Sequence, residues 1–308
     1  MNASPSTIST IVRTKVRLVV VRVEFVIGSL LAPEATVSRA ARLFCTPFNS
    51  SRRRALAAPT LGAREETLEI DGAHISTYVW GNPYAQPYVL FAHGWSSHGM
   101  RIAPWVAPLQ AAGYAVVTFD QAAHGKSDGT QTTLPDFACH LLAVGHHFGP
   151  AAAVVGHSLG GAATALALAN GLEAERAVLI APPADPLVMA DQFAGMIGMA
   201  RHLSRRMFAL FERSMRFAVE DLQAQNFAPR IARPALIVHD VEDREVPWSE
   251  GERYARFWSD SRLLSTRGLG HNRIVDDAGV IAAAIRFLRG ETVGDRVVSS
   301  PNLPYGFA

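Results

Sequence analysis

The stretch that decides the fold is VVGHSLGG, residues 154–161. It contains the pattern Gly-x-Ser-x-Gly between Gly156 and Gly160, after an apolar run and before the alanine-rich run 162–169. In a nucleophile elbow, a serine occupies a tight strand-to-helix turn, and small residues two positions before and after it avoid clashes. The free N–H groups of the helix N-terminus then point at the developing anion. The pattern predicts Ser158 as a nucleophile; the alternative is a glycine-rich packing turn with a solvated serine.

Around this stretch the chain alternates short apolar runs with helix-like segments. Asp71-Gly72 is typical of a type I′ turn and predicts a hairpin of Thr67–Ile70 with Ile75–Trp80. Apolar runs of this length are typical of strands buried on both faces, and repeated βα units imply a parallel, doubly wound sheet. The predicted strands are Tyr88–Ala92, Ala115–Phe119, Ala152–Val155, Ala177–Ile180, Ala235–Val238 and Leu263–Ser265, and the predicted helices are 102–112, 134–147, 159–170, 248–258 and 276–289.

An insertion at residues 182–233 interrupts this alternation. It leaves the carboxyl end of a predicted strand, where open α/β sheets build their sites. Its methionine and phenylalanine content favours a small helical lid with an adaptable apolar surface over a ligand pocket. We expect Phe193, Met196 and Met199 to line that pocket; the alternative is ordinary helical core.

Serine needs a base to take its proton, and the base needs an acid to orient it. His271 follows the last predicted strand, in GLGHNRI, and is the candidate base. Asp243 follows the strand Ala235–Val238 and is the candidate acid, so the order is nucleophile, acid, base. Asp240 and Glu242 are rivals nearby and Asp185 is a less favoured alternative; Asp243 could also simply pair with Arg244.

An oxyanion requires two N–H donors. One is expected from Leu159, the residue after the nucleophile. The other is expected from Trp95, because His93-Gly94 allows the backbone to turn sharply after Tyr88–Ala92. The Trp95 side chain either lines the substrate pocket or only packs.

Together these segments resemble the α/β-hydrolase fold superfamily, in its serine esterase and lipase-like branch. The matching segments are HGW (93–95), DQAAHGKSDG (120–129), GHSLGG (156–161), the Asp243 loop and GLGH (268–271), within residues 65–290. The resemblance implies an eight-stranded, mostly parallel sheet flanked by helices, with the hairpin at its start. It also gives Asp120 and His124 a structural role. Ser158 argues against relatives that use an aspartate nucleophile.

The resulting hypothesis is a serine hydrolase that cleaves a carboxylic ester of small or medium acyl chain through an acyl-enzyme on Ser158. Such a reaction requires no metal and no organic cofactor. The superfamily supports other acyl chemistry on a similar triad, so a thioesterase and a cofactor-free perhydrolase remain open. A noncatalytic binding protein of the same fold is a further alternative.

Composition sets limits on the function. Of 308 residues, 49% are hydrophobic and 18% are charged, which permits a large core. With 29 basic and 27 acidic side chains, the net charge of +2 gives no electrostatic case for nucleic-acid binding. Two cysteines exclude a disulfide-rich scaffold or a cysteine-rich zinc site. The hydrolase resemblance, and not the composition, makes a small-molecule ester the expected partner.

Residues 1–64 precede the predicted domain as a leader segment and linker, and residues 291–308 form an irregular tail. Basic residues precede an apolar stretch within 11–31, but Arg22 and Glu24 interrupt it. We expect the leader to pack beside the domain; an interfacial membrane anchor and a cleaved signal are the alternatives. The expected location is cytoplasmic, with possible membrane association through this segment.

Overall fold

The computed structural model describes residues 5–215 and 217–297. Within these residues the chain divides into two compact units. The first combines the ranges 5–45 and 186–221, and the second combines 46–185 and 222–297. The chain thus leaves the second unit after residue 185 and returns to it at residue 222.

The second unit contains an eight-stranded sheet. Its order is β1-β2-β4-β3-β5-β6-β7-β8; β2 pairs antiparallel with β1 and β4, and every other pairing is parallel. This confirms the fold class that the resemblance implied. The strands are β1 (Arg64–Ile70), β2 (Ala73–Trp80), β3 (Tyr88–Ala92), β4 (Ala115–Phe119), β5 (Ala151–His157), β6 (Ala174–Ile180), β7 (Ala235–Asp240) and β8 (Ser261–Thr266).

Burial explains why the apolar runs form central strands. All residues of β3, β4 and β7 are buried, since helices cover both faces of a parallel sheet. The hairpin is also confirmed: Asp71 and Gly72 both have positive φ (50° and 77°), as a type I′ turn requires. Each predicted strand therefore coincides with an observed one, with differences only at the ends.

Helices connect the strands and build the first unit. The five predicted helices are confirmed within a few residues. In the described residues the α-helices are α1 (Pro5–Leu31), α2 (Pro33–Phe44), α3 (Asn49–Ala57), α4 (Ala103–Ala111), α5 (Leu134–Phe148), α6 (Leu159–Ala169), α7 (Pro186–Ile197), α8 (Ser204–Met215), α9 (Ala224–Phe227), α10 (Trp248–Phe257), α11 (Gly270–Arg273) and α12 (Ala278–Leu288).

The first unit consists of α1 and α2 together with α7 and α8. Its core includes Phe25 and Val37 from the N-terminal helices and Ala190, Leu203 and Met207 from the insertion. The leader therefore shares a core with the helical insertion, an association between segments that are distant in sequence. No helix in the described part of the chain combines the length and apolar character needed to cross a bilayer.

The expected linker contains a helix. Pro47 and Pro59 flank α3, and Arg52 on this helix donates to the carbonyl oxygen of Gly129 at 3.0 Å. These contacts attach α3 to the second unit. At the other end of the chain, the backbone of Asp295 pairs with Leu263 of β8 by hydrogen bonds of 2.7 and 2.8 Å, so the expected irregular tail begins with an ordered bridge. Its later residues lie outside the described part.

Buried Asp120 fixes the turn after β4. Its carboxylate accepts hydrogen bonds from the Gly99 amide (2.7 Å), the Tyr78 hydroxyl (2.8 Å) and the Lys126 amide (2.8 Å). A Cβ on Gly125 would lie 2.0 Å from this carboxylate, so the loop closes tightly around it. The structural role that the resemblance gave to Asp120 agrees with these contacts.

Replacing Asp120 by alanine is expected to lower the free energy of unfolding by about 3 kcal/mol, because three donors lose their acceptor in a buried site. Urea unfolding followed by circular dichroism measures this. Asp128→Ala in the same loop removes an exposed carboxylate paired with His74 and is the matched control. An equal loss in the two variants would contradict the assigned role of Asp120.

Candidate active site

Ser158 lies in a strained turn between β5 and α6. Its backbone has φ 54° and ψ −125°, an unfavourable conformation for a residue with a side chain. The Ser158 amide donates to the Ile180 carbonyl oxygen at 2.8 Å, which ties the turn to β6. A Cβ on Gly156 would lie 2.4 Å from the Gly160 oxygen, and one on Gly160 would lie 2.2 Å from the Ala92 oxygen. The predicted need for small residues at these two positions is confirmed.

A chain of hydrogen bonds joins three predicted residues. His271 Nε2 lies 2.9 Å from Ser158 Oγ, and His271 Nδ1 lies 2.7 Å from Asp243 Oδ2. The side chains of His271 and Asp243 are almost completely buried. The structure therefore brings Ser158, His271 and Asp243 together at the carboxyl ends of β5, β7 and β8.

Asp243 is held as an ionised acceptor. Its Oδ1 accepts from the amides of Glu245 (2.8 Å) and Val246 (2.9 Å). Burial opposes ionisation, but the neighbouring His239 and His271 rings and the Val246 amide outweigh it and hold the pKa of Asp243 well below its usual value. The carboxylate is thus available to orient the His271 imidazole and to stabilise its cation.

Two further histidines support the site and were not predicted. His239 is fully buried; its Nε2 lies 3.0 Å from the Val246 oxygen and 3.5 Å from Asp243 Oδ2. His157 donates from Nε2 to the backbone oxygen of His271 at 2.9 Å, and burial lowers the pKa of His157 to about 3, so it stays neutral. The sequence signal for His157 was its position next to Ser158, and the signal for His239 was its position near the end of a buried strand.

The other three carboxylates that could have oriented His271 form hydrogen bonds or ion pairs with other residues. Asp240 accepts from the Thr266 hydroxyl at 2.8 Å and the Leu269 amide at 2.9 Å, so it braces the loop that carries His271. Glu242 pairs with Arg267 at 3.1 Å. Asp185 pairs with Arg253 at 3.0 Å. Of the four carboxylates weighed from the sequence, Asp243 is the one that contacts the histidine.

The loop after β3 passes close to Ser158. A Cβ on Gly94 would lie 2.9 Å from Ser158 Cβ, so this glycine is required by close approach and not by the sharp turn predicted for it. The Ser96 amide donates to His124 Nε2 at 2.9 Å, and the Gln121 amide donates to His93 Nε2 at 3.0 Å. Burial lowers the pKa of both histidines to about 3, so both remain neutral and can accept these bonds.

The two predicted oxyanion donors border this region. Leu159 is the first residue of α6, so its N–H has no acceptor within the helix. Among the described residues, the Trp95 amide has no hydrogen-bond acceptor either. Both amides are free to bind a substrate oxygen; their role as an oxyanion hole remains a prediction.

A cavity of about 390 Å³ opens onto Ser158 and His271. Its remaining lining is mostly polar and includes the predicted pocket residue Trp95. The lining residues are Phe48, Arg54, Gly94, Trp95, Ser96, Ser97, His98, Arg101, His157, Ser158, Glu245, His271 and Asn272.

The other predicted pocket residues belong to the first unit. Phe193 and Met196 lie on α7, where the Phe193 ring packs edge-on against Phe44 at 5.2 Å. Met199 is buried in the core of this unit, whereas Met196 is 45% exposed. Their role in a substrate pocket stays a prediction.

The arrangement can support nucleophilic catalysis. A hydroxyl, an imidazole that can take its proton and a carboxylate that orients the imidazole are within hydrogen-bonding distance in series. Among the described residues, no group of three or more His, Cys, Asp or Glu side chains is arranged to hold a metal ion.

The profile of the alpha/beta hydrolase family matches residues 89–284. No curated protein matches the sequence. Many solved structures have a similar fold. A membrane phospholipase A, described as a bacterial virulence factor, is 19% identical with a TM-score of 0.60 over 90% of this chain and 98% of that one. The Pyrococcus furiosus esterase Pf2001 is 23% identical with a TM-score of 0.58 over 75% and 94%. A thioesterase domain from the curacin biosynthetic pathway is 18% identical with a TM-score of 0.54 over 74% and 99%.

Gly160→Ala is expected to lower kcat about 100-fold and to lower the free energy of unfolding by about 2 kcal/mol. The new Cβ forces α6 away from Ala92, which displaces Ser158 and the Leu159 amide. Ester turnover and urea unfolding measure the two effects. Gly195→Ala in α7 is the control, since nothing lies within 4 Å of the added Cβ; unimpaired Gly160→Ala protein would contradict the steric argument.

Proposed function

We propose that this chain, which belongs to the alpha/beta hydrolase family, is a serine hydrolase that cleaves a carboxylic ester through an acyl-enzyme on Ser158. The observation that carries the proposal is the hydrogen-bond chain from Ser158 Oγ through His271 to Asp243. The strained turn at Ser158 adds support, because such strain is typical of residues positioned for chemistry.

In the first half of the reaction, His271 Nε2 takes the Ser158 proton as Oγ attacks the ester carbonyl carbon. The Trp95 and Leu159 amides donate to the oxyanion of the tetrahedral intermediate. Asp243 stabilises the imidazolium that has formed. The C–O bond to the leaving group then breaks, and His271 returns the proton to the departing alkoxide.

The second half repeats this sequence with water. His271 removes a proton from a water molecule, whose oxygen attacks the acyl-enzyme carbonyl carbon. The acid is released and the proton returns to Ser158 Oγ. Ser158, His271 and Asp243 thus act in both halves of the reaction. All the protein groups that these steps use belong to this polypeptide.

For the substrate we propose an ester of small or medium acyl chain, with Phe193, Met196 and Met199 of the helical insertion covering its apolar part. The apolar, adaptable nature of these side chains supports the idea. The similar Pyrococcus furiosus structure is described as an esterase. Turnover of p-nitrophenyl esters with no dependence on acyl length would argue against this role of the insertion.

The alternatives use the same site. A thioesterase is one alternative, because one structural neighbour is a thioesterase domain. A cofactor-free perhydrolase is another, because a similar triad supports both ester hydrolysis and perhydrolysis. Parallel rates on acyl-CoA, oxyester and peroxide–halide assays separate these three. A noncatalytic binding protein would leave Ser158 unreactive.

The test is fluorophosphonate labelling of wild type and Ser158→Ala, with p-nitrophenyl butyrate turnover measured in the same samples. We expect labelling to vanish and turnover to fall by roughly 10³-fold or more in the variant, since the nucleophile is gone. Labelling without turnover would favour thioesters or other acyl groups. Absence of labelling in folded wild type would overturn the proposal and favour a binding protein.

We further propose that α1 binds the surface of an anionic bilayer. One face of this helix is engaged within the first unit: Phe25 is buried, and Arg22 donates to the carbonyl oxygens of Gly195 (2.9 Å) and Met196 (2.8 Å). The opposite face is aliphatic, and its side chains are about half exposed or more. These residues are Val19, Val20, Val23, Val26, Ile27, Leu30 and Leu31.

This stripe suits the headgroup boundary of a membrane. A contiguous exposed aliphatic face commonly marks an interaction site, and basic residues strongly outnumber acidic ones in positions 1–54, which favours anionic lipid. The structural match to a membrane phospholipase A covers 90% of the chain, more than the 75% shared with the esterase. The membrane surface is thus the proposed location of the protein.

Val23→Asp combined with Ile27→Asp is expected to reduce binding to phosphatidylglycerol-containing vesicles at least tenfold, since charge on the apolar face opposes burial. Vesicle flotation of the full chain measures it. Leu43→Asp, on α2 of the same unit and 40% exposed, is the control. The membrane proposal is wrong if the wild-type protein does not bind vesicles but forms a dimer, and if the double variant is a monomer. In that case the aliphatic face of α1 binds a second copy of the chain.

A further inference from the structure

The wall of the candidate active site includes residues that precede the family match. That match begins at residue 89, yet Phe48, which immediately precedes α3, and Arg54, in its last turn, line the cavity. Arg52 attaches α3 to the Gly129 oxygen at 3.0 Å, and the Phe48 amide donates to Ser96 Oγ at 3.0 Å. The position of α3 beside the cavity is therefore fixed by specific contacts.

Arg54 differs from the other arginine of the cavity. Arg101 is satisfied by protein groups: it pairs with Asp276 at 2.7 Å and donates to the Asn272 oxygen at 2.5 Å. Arg54 forms no salt bridge with any described residue. The cavity carboxylate, Glu245, already accepts a hydrogen bond from Asn272 at 2.5 Å. The Arg54 side chain is exposed to solvent at the cavity wall, and no carboxylate among the described residues forms a salt bridge with it.

Other polar groups lie in the same wall. Ser96 Oγ accepts from the Phe48 amide, which leaves the hydroxyl proton available for a ligand. His98 Nδ1 is buried and, within the described residues, has no hydrogen-bond partner. Burial lowers the pKa of His98, and the positive charges of Arg101 and Arg54 lower it further, against the opposing effect of Asp120 on the pKa.

From these observations we infer that Arg54, together with the Ser96 hydroxyl and His98, forms a subsite for a carboxylate, and that the substrate is an ester carrying a free carboxylate group. The inference rests on the proposed hydrolase function and specifies its substrate class. A guanidinium matches a carboxylate with two parallel N–H···O bonds, which gives orientation as well as attraction. Arg54 positions the substrate and takes no part in bond making.

The test compares charged and neutral esters of similar size. One pair places the charge on the acyl group: mono-p-nitrophenyl glutarate against p-nitrophenyl valerate. A second pair places it on the leaving group: the butyrate ester of 4-hydroxybenzoate against that of methyl 4-hydroxybenzoate. For each pair, kcat/KM of the charged ester is divided by kcat/KM of the neutral one. In the Arg54→Gln variant we expect this ratio to fall at least tenfold in one of the two pairs, because KM for the charged ester rises. Arg53→Gln is the matched control, because Arg53 is exposed on α3 as Arg54 is but does not line the cavity; this variant should keep the wild-type ratios.

Binding without turnover separates this inference from the proposed function. In a Ser158→Ala background, both charged esters are titrated by calorimetry, and the one whose kcat/KM ratio depends on Arg54 should bind at least tenfold more weakly when Arg54→Gln is added; if wild type shows no turnover, at least one of the two should do so. If turnover is absent but this Arg54-dependent binding is present, the hydrolase proposal fails and the subsite stands. If esters are hydrolysed but both ratios and both affinities are unaffected by Arg54→Gln, the subsite is refuted.

Discussion

The strained backbone of Ser158 is the constraint on which the site depends. A residue with φ 54° and ψ −125° persists only where its surroundings leave no alternative. Here β5 fixes the chain before the turn and α6 fixes it afterwards, while Gly156 and Gly160 let backbone atoms approach where a side chain would collide. Leu159, the predicted anion donor, follows Ser158 directly at the start of α6, so one turn determines the positions of both residues.

Around this turn, buried histidines act as fixed braces. His93 and His124 accept amide hydrogen bonds that shape the loop carrying Trp95, and His157 holds the backbone of His271. Burial keeps these three rings neutral, so their hydrogen-bonding roles do not change near neutral pH. His271 differs from them because both of its ring nitrogens face side chains that can exchange or stabilise a proton.

Local signals predicted the sheet and indicated Ser158, His271 and Asp243, although three other carboxylates remained candidates for the acid. Each of the three residues lies in a turn or loop after a strand, and parallel strands bring their carboxyl ends to one edge of a sheet. The sequence could not reveal that His239 would contact Asp243, since only folding places the end of β7 against the turn that follows. The association of the N-terminal helices with residues 186–221 was equally hidden, because a shared core between distant segments leaves no local pattern apart from the stripe of Val37, Ala40 and Ala41 on α2.

The glycines around Ser158 and the arginine of the cavity wall differ in how freely they can be replaced. Gly94, Gly156 and Gly160 touch backbone or Ser158 itself, so almost any change displaces the reacting atoms. Arg54 lies on a helix outside the matched family region and contacts the cavity only through its side chain, so its replacement need not disturb the turn. Arg54 is distant from Ser158 in sequence, yet a substrate carboxylate bound to Arg54 would place the ester group beside the strained turn.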